Sequence, residues 1–165
     1  MIFLTVGTHE PFQRLVRAID DWCGATDVAP DVFGQITVPK AGAYEPRNFE
    51  WVARLTPLEF ADRFAQADLI VSHAGMGTII SALQAGKPIV VLPRRGHLGE
   101  TRNDHQYATA KKLAGRAGIF VADDETHIAE VMESAMSRID SANGPVISEF
   151  ANPDFTSALR KFILA

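Results

Sequence analysis

Hydrophobic residues fall along this chain in short runs separated by amphipathic stretches. Ile2 to Val6 is a nearly continuous apolar run bounded by Gly7 and Thr8. A run of that length beside turn residues predicts a strand buried on both faces. Leu15, Ile19 and Trp22 then recur at helical spacing, and Pro11 suits the first turn of that helix. "DVFGQITVP" predicts a second strand ended by Pro39, and "FEWVARL" predicts a third after the loop "AGAYEPRN". Thr56-Pro57 opens the next helix, with Thr56 as cap, Glu59 completing a capping box, and Phe60 and Phe64 one turn apart. "ADLIVSHAG" predicts a strand running into a turn, "TIISALQAG" a helix stopped by Gly86, and "KPIVVLP" the next strand.

The polar loop "GHLGETRNDHQ" leads into a helix around "QYATAKKLAGR", and "GIFVAD" predicts a short strand. Asp123 or Asp124 caps a helix through "THIAEVMESAM", and "SANGP" makes a turn. The stretch "NPDFTSALRKFILA" predicts a last amphipathic helix with Phe155, Leu159, Phe162 and Ile163 on one face. That face either closes the core or meets another subunit. Strands made of apolar runs and alternating with helices mean a mainly parallel sheet covered on both sides. The expected fold is α/β: one Rossmann-like, doubly wound parallel sheet over residues 1–165, with no repeat or linker.

Composition narrows the functional classes. Hydrophobic residues make up 47% and charged residues 22%, an ordinary globular mix. A net charge of -4 argues against general nucleic-acid binding, which needs a basic face to displace counterions. The one cysteine, Cys23, excludes an internal disulfide and lies beside Trp22 in a helical pattern, so it reads as a small core residue. The first apolar run is too short for a signal peptide, and no run reaches the ~20 residues of a membrane-spanning helix. The expectation is a cytoplasmic chain.

Candidate chemistry concentrates where polar loops follow strands, since ligands of doubly wound sheets bind outside the carboxyl ends of the strands. Two loops qualify: Gly7 to Glu10 ("GTHE") and Ser72 to Thr78 ("SHAGMGT"). In both, glycine follows a buried strand and a helix follows the glycine. Glycine lets backbone approach a ligand closely, and the first amides of the helix present unsatisfied donors and positive dipole. Thr78 adds a hydroxyl, and His73 can donate an N–H to a phosphate oxygen, so a diphosphate suits this gap. Neither loop carries the Gly-x-Gly-x-x-Gly or P-loop pattern, which disfavours dehydrogenases and ATPases. A third stretch, Pro93 to Gln106, offers Glu100, Asn103, Asp104, His105 and Gln106, groups that match the paired donors and acceptors of sugar hydroxyls. His97, Asp104 and His105 are too irregularly spaced for a dedicated metal site. Arg94 and Arg95 form either a solvated basic turn, a contact with a partner, or a guanidinium that pairs with a carboxylate on a ligand.

Together "LTVGTHEPF", "ADLIVSHAGMGTIISALQAGKPIVVLPR" and "NDHQ" resemble the C-terminal domain of glycosyltransferase family 28 over nearly the whole chain. The likeness extends to the small donor-binding subunits of two-part glycosyltransferases that build exopolysaccharide or dolichol-linked glycans. It implies the donor half of a GT-B enzyme, binding a UDP-sugar and working with a membrane-anchored subunit that holds the lipid-linked acceptor. Carried over by position, Gly7, Thr8, His73, Gly75, Gly77 and Thr78 face the diphosphate. Asp104, His105 and Gln106 meet the sugar, and Leu55, Thr56 and Ser81 lie toward the nucleoside. Ser81 stands where many GT-B relatives carry a ribose-gripping glutamate, and it offers only a neutral hydrogen bond. The implied chemistry is inverting transfer with no metal or other cofactor, His73 stabilising the leaving group and His9 the local candidate base. A non-catalytic nucleotide-sugar-binding module is the alternative.

Overall fold

The apolar runs lie side by side as parallel strands. The computed structural model describes residues 1–8, 10–28, 30–37, 44–139, 147–148 and 150–164. In chain order the elements are β1 (Ile2–Thr5), α1 (Gln13–Ala25), β2 (Val32–Gln35), β3 (Glu50–Val52), α2 (Pro57–Gln66), β4 (Leu69–His73) and α3 (Met76–Gln84). They continue with β5 (Ile89–Leu92), α4 (His105–Leu113), β6 (Ile119–Val121), α5 (Ile128–Met136) and α6 (Pro153–Ile163). The six strands form one sheet in the order β3-β2-β1-β4-β5-β6, and every pairing is parallel.

Alternation along the strands splits the core in two. Ile2 and Leu4 point to the face covered by α1 and α5, where they meet Leu15, Ile19, Trp22, Cys23, Ile128 and Met132. Phe3 points to the other face, with Phe64 of α2, Ile79 and Ala82 of α3, and Ala110 of α4. Phe3 packs edge-on against Phe60 at 5.3 Å, and Phe60 stacks on Phe64 at 5.7 Å. Cys23 is a buried core residue as expected, and burial followed by the charge of Asp20 pushes its thiol up to about 12.

Local signals hold in most places and fail in informative ones. Thr56 and Glu59 form the capping box at α2. Pro11 instead precedes the helix, which opens at Gln13 with Phe12 at the cap position. The carbonyl of Pro11 accepts from Arg94 Nη1 at 2.8 Å, and the Val16 amide bonds back to Phe12. Asp124, rather than Asp123, accepts from the Thr126 amide and caps a short turn, Glu125–His127, that runs into α5. The second strand ends at Gln35; Pro39 and the "SANGP" turn lie outside the described residues. The last helix forms as expected but buries nothing: Phe155 is 61% and Phe162 83% exposed. Its apolar face therefore does not close the core. Among the described residues, no helix is long and apolar enough to cross a membrane.

Removing the chain from residue 150 onward should shift the melting temperature by no more than about 2 °C, because α6 contributes no buried residue. Phe3→Ala, at a fully buried ring, should cost about 3–5 kcal/mol in chemical unfolding. A truncation as damaging as Phe3→Ala would contradict this assignment of the core.

Candidate functional site

The crevice follows from topology. β1 and β4 are neighbours at the centre of the sheet, but α1 folds back over one face and α3 over the other. The loops leaving the carboxyl ends of these two strands therefore diverge and leave a gap between them, the usual ligand position in such sheets.

His73, the last residue of β4, stands in that gap. Its ring lies between two glycines. A Cβ on Gly75 would come within 2.4 Å of Nε2, and one on Gly7 within 3.2 Å of Cε1. Gly7 also has φ +84, a left-handed conformation that glycine adopts without strain. Both glycines thus make room for this imidazole, beyond shaping the turns. Burial, followed by the charge of Arg94, pushes His73 down to about 4, so the ring is neutral at pH 7. Gly75 is the cap of α3, and Gly77 and Thr78 lie in its first turn. A Cβ on Gly77 would meet nothing within 4 Å, so that side of the helix start is open.

Arg94 organises the first loop. Its Nη2 donates to the carbonyls of Val6 at 3.0 Å and Glu10 at 2.7 Å, and its Nη1 to that of Pro11 at 2.8 Å. The guanidinium also lies over the Phe12 ring at 4.5 Å, and the residue is 4% exposed. Burial works against its charge, and Glu100 and Glu10 offset part of that. This overturns the reading in which Arg94 reaches a ligand carboxylate: its donors are occupied by four backbone carbonyls, the fourth that of Glu100 at 3.4 Å. Arg95 stacks on Tyr107 at 3.9 Å and donates to the carbonyl of Asp123, so it too is held within the fold.

A cavity of about 570 Å³ opens above these groups, bordered by Gly7, Thr8, His73, Asn103, His105 and Gln106 together with Arg94. The structure therefore brings together parts of all three stretches singled out by sequence. Gln106 contributes a buried side chain whose Oε1 accepts the Arg94 amide at 3.2 Å. His105 is bonded through Nδ1 to the Asn103 amide oxygen. Asp104 turns away to accept the Gly96 amide at 2.8 Å, and it braces the loop without lining the cavity. Leu55 packs on the core, and the Thr56 hydroxyl is engaged by the α2 cap. Ser81 is exposed on α3. Neither Leu55, Thr56 nor Ser81 borders the cavity. His9 lies outside the described residues. No group of three or more metal-ligating side chains occurs among the described residues.

Several contributors carried no local motif. Thr37 donates to the Gly7 carbonyl at 3.1 Å, and Arg14 forms an ion pair with Glu100 at 2.8 Å. Both contacts cross large sequence separations. Only the parallel strand order, with β1 between β2 and β4, could have suggested them. A somewhat larger groove of about 670 Å³ lies along α1 and α5, bordered by Arg17, Trp22, Ala129 and Glu133. It lacks the strand-end glycines and open helix start, so volume alone does not make it the site.

An all-parallel doubly wound sheet with a glycine-flanked histidine at its central crevice places a ligand site where such α/β domains bind their ligands. The chain belongs to the glycosyltransferase family 28 C-terminal domain family, whose profile matches residues 1–143. It is 24% identical over 147 residues to the UDP-N-acetylglucosamine transferase subunit ALG13 of Yarrowia lipolytica, covering 84% of this chain and 72% of that protein. It is 29% identical over 125 residues to the ALG13 subunit of Mus musculus, covering 72% of this chain but 10% of the mouse protein's length. The fold matches Acinetobacter baumannii MurG with a TM-score of 0.65 at 21% identity, over 98% of this chain and 49% of that one.

The neutral state of His73 has a measurable cost in acid. The unfolded ring takes a proton near 6.5, whereas the folded ring takes it at about 4. The unfolded state therefore binds more protons between these values, and stability falls as pH drops through that window, by roughly 3 kcal/mol at most. Below the folded value the loss levels off. Urea unfolding across the window should show a smaller loss in His73→Gln; an equal loss would place the titration elsewhere.

Proposed function

We propose that the chain is the donor-binding, catalytic subunit of an inverting glycosyltransferase. It moves a sugar from a UDP-sugar to a lipid-linked acceptor held by a membrane-anchored partner. The observation that carries this reading is the convergence of Gly7, Thr8, His73, Asn103, His105 and Gln106 on one cavity at the central crevice. Family membership supports glycosyl transfer, and the names of the relatives support UDP-N-acetylglucosamine as donor and action as a subunit.

In this reading the diphosphate lies against the Gly7 loop, His73 and the free amides at the start of α3. The sugar extends toward Asn103, His105 and Gln106, and the nucleoside toward Leu55, Thr56 and Ser81. An acceptor hydroxyl attacks the anomeric carbon from the face opposite the diphosphate. The carbon–oxygen bond to UDP breaks, UDP leaves with the electron pair, and a base takes the hydroxyl proton. The partner or His9 supplies that base. No metal enters: helix amides and His73 meet the charge that grows on UDP, and the buried Arg94 behind them adds positive potential. The work takes place at the cytoplasmic membrane face, where the partner brings the acceptor.

Purified chain, partner and lipid acceptor should together transfer N-acetylglucosamine from UDP-N-acetylglucosamine, and the chain alone should not. EDTA should leave the rate unchanged, and His73→Ala should lower it roughly 100-fold, as loss of one charge-stabilising donor does. Donor binding with no transfer under any pairing would favour a regulatory binding module. A His73→Ala protein of unchanged affinity and turnover would remove His73 from the site.

A further inference from the structure

We propose that Ser72 is a positioning residue that holds His73 as the Nδ1–H tautomer, so that seating a donor diphosphate makes His73 take up a proton on Nε2. The proposal rests on the donor-site reading of the cavity and adds a proton to it.

Ser72 is fully buried near the end of β4. Its Oγ donates its one hydrogen to the carbonyl of Thr5 at 2.8 Å. A hydroxyl has one hydrogen and two acceptor lone pairs. What Ser72 turns toward His73 Nδ1, 3.3 Å away, is therefore an acceptor. Nδ1 must then be the donor. A neutral imidazole carries only one N–H. With that hydrogen on Nδ1, Nε2 presents a lone pair, and it does so on the ring edge flanked by Gly75 and Gly7. No side chain or backbone group among the described residues bonds to Nε2.

A lone pair aimed at a diphosphate repels it. Exchanging tautomers would set the Nδ1 lone pair against that of Ser72 in a buried place, leaving a polar group unsatisfied. Adding a proton avoids this, since an imidazolium donates from both nitrogens. The charges around the ring decide when this happens. Arg94 is the one that acts on His73 in the free protein, and it opposes protonation. Glu10, Glu100, Arg102 and His105 border the same cavity. An entering diphosphate adds negative charge beside the ring, offsets Arg94 and raises the affinity of Nε2 for a proton. Donor loading and protonation are then one linked event. Affinity strengthens as pH falls, by up to about tenfold per pH unit while coupling is complete.

The test uses histidine-labelled full chain and UDP-N-acetylglucosamine, whose diphosphate is a diester with no titratable group near neutrality. Long-range nitrogen–proton NMR of the free protein should show His73 as the Nδ1–H form, and Ser72→Ala should let the Nε2–H form appear. Calorimetry in two buffers of different ionisation heat should count an uptake approaching one proton per donor bound. That uptake should vanish in His73→Gln and shrink in Ser72→Ala. An Nε2–H tautomer in the free protein, or donor binding with no proton uptake, would overturn the proposal. Absence of any donor binding would overturn the donor-site reading instead, while the spectrum of the free protein still decides whether Ser72 holds the ring.

Discussion

The crevice depends on the buried guanidinium of Arg94. It leaves the end of β5, passes the end of β4, and gathers three carbonyls of the loop that follows β1. Without it, the buried Val6 would lose the partner of its carbonyl at a cost comparable to a lost hydrogen bond, and Glu10 and Pro11 would lose the contact that ties them to β5. Burial is the larger reason that His73 is neutral, and the same charge adds to it, because a cation behind a partly buried imidazole disfavours a second one. Glu100 and Glu10 offset part of the cost of burying this charge, and Glu100 is itself held by Arg14 at 2.8 Å.

Much of the fold was legible in the chain because its signals are local. Strand runs such as Ile89–Leu92, the Thr56 capping box and the glycines after β1 and β4 each act within a few residues. The alternation of these elements leaves few topologies open. The candidate site was legible only in part. Gly7, His73 and Gln106 were found because they follow strands, but what each does depends on neighbours distant in sequence. Arg94 and Arg95 read as a solvated or ligand-facing pair. Strand order determines that their partners are backbone carbonyls on β1's loop and before α5. Asp104 reads like its neighbours His105 and Gln106, yet one turn of backbone at the start of α4 points it at Gly96 instead. Periodicity placed the apolar face of α6, but no pattern in the chain said what the helix would meet.

These features define a division of labour within the domain. The sheet and Arg94 hold the first loop beside His73, while Asn103, His105 and Gln106 complete a polar cavity. The α6 helix, with its apolar side chains outside, stands apart from that work. A subunit that binds donor and receives its acceptor from elsewhere would need such a separation.

The central claim is that the donor binds between the β1 loop and His73. Amide NMR during titration with UDP-N-acetylglucosamine tests it most directly. The largest shifts should fall on Gly7, Thr8, His73 and Gly75 to Thr78, followed by Asn103 to Gln106. Shifts centred instead on Arg17, Trp22 and Ala129, along the groove between α1 and α5, would contradict it.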